Sequence, residues 1–363
     1  GPRGLVALTS AVSIAAALVN WSLGLVVGAL FARDAGREAA RRGWPLHYPI
    51  LCAAGYSGMM VWHGGLSGTA PLKATTAKDM IEVMGPELAA RVGTIPLDTS
   101  LFGALNAVVT GGLVALGPLC FALLTPRAGE DPAPQAAVTG DEAEEAASAA
   151  AAAAGEAGLD APSRSRAVTW LLAGPLALAL GLSLARRGLR ELDLNTVNLA
   201  LWTGAMILHG RPHRFLAACE AGIRGCTGVF LLFPIYAGIM GLLAASGLSA
   251  ALAGAFADVP ARLFTLVTFL AAGALNLLVP SGGGQWALQG PIVMEAALGR
   301  GIDPAAAMMA VAYGDQWTNM LQPFWAAPLL AITGVRARDI AGYCLIWMAL
   351  GGLWVAAALA LWS

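Results

Sequence analysis

"NLLVPSGGGQWALQGP", residues 276–291, breaks the most apolar part of the chain, and its reading decides the fold. Pro280 and three consecutive glycines, Gly282, Gly283 and Gly284, cannot continue a stable helix. The flanking arms, about 261–278 and 285–298, are near or below the ~20 residues that cross a hydrocarbon core. In lipid, a broken helix survives only inside protein or beside a water-filled cavity, because each freed backbone group needs another partner. The stretch therefore predicts a re-entrant helical hairpin over about 261–299, its tip at 279–284 reaching the midplane. The second arm starts at that tip, and a helix N-terminus carries about half a positive charge and free N–H donors. The three glycines allow close backbone approach and Ser281 adds a hydroxyl, so the tip, with Gln285, predicts a nest for a carboxylate. The competing reading is a flexible loop between two ordinary spans.

Composition sets this hairpin in a membrane. Only 12% of the 363 residues are charged and 58% are hydrophobic, whereas roughly 25% of a soluble domain is charged. A net charge of −1 offers nothing to a nucleic acid. The five cysteines show no CxxC spacing and read as small packing residues, not as metal ligands or disulfides. Further apolar runs fall at about 5–32, 48–72, 99–124, 167–184, 195–209, 227–246, 305–333 and 340–361. The chain opens on Gly1-Pro2, which reads as a protease scar or a truncated start. Residues 4–32 are too long and Gly-rich for a signal peptide, so the spans are expected to direct insertion themselves.

The polar stretch 126–166, with its Ala150–Ala154 tract and Asp141, Glu142, Glu144 and Glu145, reads as a low-complexity linker. It divides an N-terminal part, 3–125, from a C-terminal part, 167–363. Arg33, Arg37, Arg41 and Arg42 place the loop after the first run on the cytoplasmic side. Arg211, Arg214 and Arg224 put 211–226 there as an interfacial amphipathic helix, and Arg336 and Arg338 put 334–339 there. Arg186, Arg187 and Arg190 run against this topology.

The two parts repeat. Residues 53–76 align without gaps on 310–333, matching Tyr56 to Tyr313, Pro71-Leu72 to Pro328-Leu329 and Thr76 to Thr333. Each copy follows an apolar run holding an asparagine, Asn20 in "ALVNWSLG" and Asn276 in "ALNLLVPSGGG". The order predicts inverted repeats, with a second hairpin at about 5–32 turning at Asn20–Gly24 and a site at the repeat interface. A buried Asn is also a common helix-packing group. The stretch "WHGGLSGTAPL", 62–72, interrupts the helix expected over about 48–85, and its mate "GDQWTNMLQPFW" interrupts 305–333.

Chemistry gathers at these breaks. Ser67, Gly68 and Thr69 offer hydroxyls and unwound carbonyls, while Asp315, Gln316, Thr318, Asn319 and Gln322 crowd one otherwise apolar segment. Ionisable groups inside a span read as functional by default. Burial without a partner would favour a proton on Asp315, and a nearby Na⁺ would keep it ionised. His63 can exchange a proton in the same way or simply pack between helices. Trp62, Trp286, Trp317 and Trp325 stand beside the breaks and can wall an apolar pocket or fill the core.

"VNWSLGLVVGALFAR", "VPSGGGQWALQGP", "AYGDQWTNMLQPFWAAPLL" and "ARDIAGYC" resemble the short-chain fatty acid transporter family, the acetoacetate and butyrate permeases of bacteria. The resemblance covers nearly the whole chain except the linker; similar members usually carry further hydrophobic segments ahead of the point where this chain begins. It implies two re-entrant hairpins and elevator motion in an all-α inner-membrane protein. It implies tip roles for Asn20 and for Asn276 with Ser281–Gly284, and unwound-helix roles for Ser67–Thr69 and Asp315–Asn319.

The expectation is a multi-pass secondary carrier of short-chain monocarboxylates in the bacterial inner membrane, coupled to H⁺ or Na⁺, without a cofactor and open to forming a homodimer. Asn20, Asn276, Asn319 and the tip amides would hold the carboxylate, with Gln322 and Gln285 beside them, and Asp315 with His63 would handle the ion. A carrier of other carboxylates such as dicarboxylates is the nearest alternative. A channel needs a continuous polar path, whereas polarity here clusters at paired breaks. An enzyme needs a nucleophile or metal cluster, and no such spacing is present.

Overall fold

The computed structural model describes residues 1–126, 161–188, 192–225 and 259–362, with isolated positions between 234 and 247. Most of the expected linker and of the run at 227–246 lies outside the described residues. Among those described, the regular elements are helices.

Helices α1 (Pro2–Val19) and α2 (Trp21–Arg41) are joined by a single extended residue, Asn20. Its Oδ1 accepts from the amides of Ser22 and Leu23 at 3.0 and 3.1 Å, capping α2 and ending α1. The turn is thus tighter than Asn20–Gly24. Gly24 lies inside α2 and faces Ala17, where an added Cβ would come within 2.5 Å of the alanine Cβ. Pairs 17/24 and 13/28 meet across the two helices, which run antiparallel.

Helix α3 (Tyr48–Tyr56) crosses α2 where Gly28 and Gly55 touch backbone to backbone. It then loosens into 3-10 turns at Ser57–Met60 and Trp62–Gly64 and an extended Gly65. The chain re-forms a short α4 at Thr69–Lys73. The interruption therefore covers 57–68, earlier and wider than 62–72. The helix expected to run on to 85 stops at Lys73; a separate α5 (Ala77–Val92) begins where Thr76 Oγ1 caps the Asp79 amide at 3.1 Å. Gly85, at φ +75°, kinks α5 ahead of Pro86, which disfavours helical geometry in the residue before it.

Helix α6 (Ala104–Leu124) packs on α1; α7 (Arg166–Arg187), α8 (Leu194–His209) and α9 (Pro212–Gly225) form a peripheral group packed in sequence order. Helix α9 occupies the stretch read as amphipathic and exposes Leu216 and Ile223.

In the C-terminal part, α10 (Phe264–Asn276) and α11 (Gly282–Leu298) flank the Pro280 turn. They meet near the turn, where Gln285 Nε2 donates to Ala272 O at 2.8 Å. Beyond it α10 lies along α12 (Pro304–Thr318), and α11 lies between α12 and α5. Helix α12 is buried at every residue from Ala305 to Gln316, so it forms the centre of the molecule. A 3-10 turn at Asn319–Leu321 separates it from α13 (Pro323–Thr333), and α14 (Ala337–Trp362) closes the bundle against α6. Asp315 to Thr318 keep helical form; unwinding begins only at Asn319. Among the described residues, four helices, α1, α6, α7 and α14, are long and apolar enough to cross a membrane.

Candidate functional site

The two breaks meet at the centre, and each is braced by the other half of the chain. Tyr56, at the end of α3, donates from its hydroxyl to the carbonyl of Asn319 at 2.8 Å. Its repeat mate Tyr313 donates to Asn106 Oδ1 at 3.1 Å, and Asn106 Nδ2 in turn holds the carbonyl of Gly64 at 2.9 Å. Gln316 Oε1 accepts from the amides of His63 and Gly64 at 3.0 and 3.3 Å. Backbone groups freed by unwinding thus find partners inside protein, as a low-dielectric interior demands.

The glycines of "WHGGLSG" follow from the same crowding. Gly65 lies against the carbonyl of Leu18, and Leu66 donates its amide to that carbonyl at 2.7 Å. The Trp21 amide donates to Ser67 Oγ at 2.9 Å. The tip of the first hairpin is docked onto the first break, and Trp21 packs edge-on against Trp325 with ring centroids 5.1 Å apart.

His63 and Asp315 form a buried pair, their side chains 1% and 2% exposed, with His63 Nδ1 2.6 Å from Asp315 Oδ2. Asp315, read from sequence as an acid without a partner, has one. The other ring nitrogen, Nε2, accepts from the amide of Ala70 at 3.1 Å. The indole of Trp62 stacks on the imidazole at 4.3 Å with 19° between planes. The tip of the second hairpin sits directly over this pair. A Cβ on Gly282 would lie 2.8 Å from Trp62 Cη2, 3.1 Å from His63 Cε1 and 3.3 Å from Asp315 Oδ2. Gly283 faces Thr69 instead, with room for a Cβ at 3.5 Å from Thr69 Cγ2. Ser281 Oγ caps α11 by accepting from the Gly284 amide at 3.2 Å.

The amides form a second cluster. Asn276 Nδ2 is shared among the Asp315 carbonyl, Thr318 Oγ1 and Asn319 Oδ1 at 2.6, 3.0 and 2.9 Å. Gln322 Nε2 donates to the Asn276 carbonyl. Asn276, Asn319 and Gln322 are thereby brought together, but the donors of Asn276 are spent on backbone and neighbouring side chains. Asn20 stands apart, its Oδ1 occupied by the cap it forms. Gln285 is engaged with Ala272 and Gln289.

Several buried polar atoms lack a partner among the described residues: donors Trp62 Nε1, Trp286 Nε1, Gln316 Nε2 and Asn319 Nδ2, and acceptors Asn276 Oδ1 and Gln322 Oε1. Buried polar groups are ordinarily satisfied, so these exceptions at the breaks make the crossing the candidate site. The buried ionisable side chains at the breaks are His63 and Asp315; no Lys or Arg among the described residues is buried. Lys73 and Arg91, on the neighbouring α4 and α5, reach Glu82 and Glu295 at 3.1 and 2.8 Å. A cavity of about 260 Å³ opens beside the second break, lined by Tyr56, Met320, Gln322 and Arg338 among others. Sequence reasoning missed Asn106 and the bracing roles of Tyr56, Tyr313 and Gln316. Asn106 carried the signal used for Asn20 and Asn276, an amide inside an apolar run.

Interrupted helices crossing inside an apolar helical bundle, with a buried acid–histidine pair at the crossing, fit a multi-pass membrane transporter. The chain belongs to the short-chain fatty acid transporter family, whose model matches residues 1–362. Two relatives carry the provisional name short-chain fatty acid transporter. The one from Escherichia coli K12 is 36% identical over 344 residues, covering 93% of this chain and 74% of its own. The one from Haemophilus influenzae is 35% identical over 345 residues, covering 94% and 75%. Among solved structures, the YdaH transporter of Alcanivorax borkumensis is similar at a TM-score of 0.46 and 17% identity, over 99% of this chain and 83% of its own. These relatives are named as transporters and not as enzymes.

Proposed function

We propose that the chain takes up short-chain monocarboxylates of the acetoacetate and butyrate kind across the bacterial inner membrane by symport with a proton. The observation that carries this reading is the buried Asp315–His63 pair under the Gly282 tip, with no buried Lys or Arg beside it. A substrate carboxylate at the tip would lie close to a second carboxylate in a weakly screening interior, which is strongly unfavourable unless a cation accompanies it. A proton on the pair removes that repulsion. The amides at the start of α11 and the unpartnered donors of Trp62, Trp286 and Gln316 supply the carboxylate with hydrogen bonds. The relatives' names supply the substrate class.

The motion is an elevator of re-entrant hairpins and interrupted helices arranged as inverted repeats. A matched contact supports the duplication. Gly58 packs on the carbonyl of Ser13, seven residues before Asn20, and Gly314, aligned with the adjacent Ser57, packs on the carbonyl of Phe269, seven residues before Asn276. Purified protein in liposomes, with pH and Na⁺ gradients imposed separately, tests the function. Butyrate uptake driven by a pH gradient, acidic on the uptake side, is the expected result. Uptake driven by Na⁺ alone would replace the proton with sodium, and no uptake under either gradient would overturn the reading.

A further inference from the structure

Hydrogen-bond chemistry fixes the protonation state of His63, and with it a coupling device. A backbone N–H can only donate, so the bond from the Ala70 amide at 3.1 Å requires a lone pair on Nε2. The ring proton must then sit on Nδ1, which donates to Asp315 Oδ2 at 2.6 Å. In this state His63 is neutral, and an ionised Asp315 leaves the pair with one negative charge.

Resting on the proton-symport reading above, we propose that the coupling proton is taken up at His63 Nε2, and that its arrival releases the Ala70 amide and with it the turn that faces the hairpin tip. A proton from the aqueous phase adds to Nε2, Nδ1 keeps its own, Asp315 remains a carboxylate, and the pair goes from one negative charge to none. The imidazolium gains a charge-assisted bond to Asp315 and a cation–π contact with the stacked Trp62. It loses the Ala70 bond, because Nε2–H and the amide N–H cannot share one line. Ala70 follows Thr69 in the chain, and Thr69 faces Gly283, so loading and rearrangement at the tip become one event.

Among the described residues, the other titratable groups on the elements around the pair have partners of their own or stand elsewhere on their helices. Tyr313 on α12 donates to Asn106, Tyr56 donates to Asn319, Lys73 on α4 reaches Glu82, and Glu295 on α11 reaches Arg91. Arg3 stands in the first turn of α1, Arg33, Arg37 and Arg41 in the C-terminal half of α2, and Arg338 with Asp339 in the first turn of α14, where Arg338 lines the cavity beside the second break.

The test is the ¹⁵N imidazole spectrum of the full chain in liposomes, with His47, His209 and His213 replaced by Gln so that His63 alone reports. At alkaline pH the neutral, Nδ1-protonated tautomer is expected. On acidification it should convert to imidazolium over the pH range in which butyrate uptake switches on. Hydrogen exchange across residues 66–72 should quicken in step. His63→Gln, whose amide can serve both Ala70 and Asp315 without titrating, should, in protein inserted to the wild-type level, lose the acceleration of butyrate uptake by a pH gradient. An Nε2-protonated tautomer, an imidazole that stays neutral throughout, or wild-type pH dependence in His63→Gln would each overturn the proposal. In those cases a wild-type chain still driven by a pH gradient keeps the transport reading intact, with Asp315 as the proton's site.

Discussion

Gly282 is the residue at which the hairpin tip closes on the buried pair. A Cβ there meets the Trp62 ring and the edge of the His63–Asp315 pair, whereas one on Gly283 makes an ordinary contact with Thr69. Gly282→Ala is therefore expected to reduce uptake severely in protein that still inserts, and Gly283→Ala to retain most of it. Butyrate uptake normalised to the amount of folded carrier separates the two, and equal activities would show that the tip does not close on the pair. Asp315 supports a second expectation. Asp315→Asn keeps the shape and can still accept from His63 Nδ1, but it carries no charge. It should abolish gradient-driven accumulation and preserve exchange of preloaded substrate. Retention of wild-type ion coupling by that variant would remove Asp315 from the coupling role.

Among the elements, the two hairpins differ in how they are held. Helices α1 and α2 pack along each other through Gly24 and Gly28, while α10 and α11 part beyond Gln285 and use α12 as their common support. Gly28 abuts the Gly55 carbonyl, so Gly28→Leu should drive α2 from α3 and lower the yield of folded protein. Gly174→Leu on peripheral α7, where nothing lies within 4 Å, should be tolerated, and the two yields in detergent extracts make the comparison. This difference also marks what the sequence displays. The Pro280 and Gly-rich breaks were legible because proline and clustered glycine disrupt helices by their own chemistry, whatever surrounds them. The split of α4 from α5 was not, since the hydrophobic pattern blurs where Thr76 and Asp79 supply a cap. Asp315 and His63 were each legible as ionisable groups at the breaks, but their contact was not. Their separation of 252 residues has no periodicity to expose it, and only the crossing of the two breaks brings them together.

For the whole molecule, the arginine pattern and the repeat together call for residues 33–46, which include the end of α2, and 334–339, which include the start of α14, on one face of the membrane and 299–304 on the other. Single cysteines placed at 37, 300 and 337 in a Cys-free background, labelled from one side, should show 37 and 337 alike and 300 opposite. Labelling of 37 and 300 from the same side would remove the inverted arrangement. The reciprocal bracing of the breaks has a consequence for how the protein is made. The His63 and Gly64 amides wait for Gln316, and the Gly64 carbonyl is held by an Asn106 that Tyr313 orients. For much of translation the first half must therefore sit in the bilayer with an open wound in its backbone. A fragment that ends after the linker would hold His63 and Gly64 amides without the acceptor that only the second half carries.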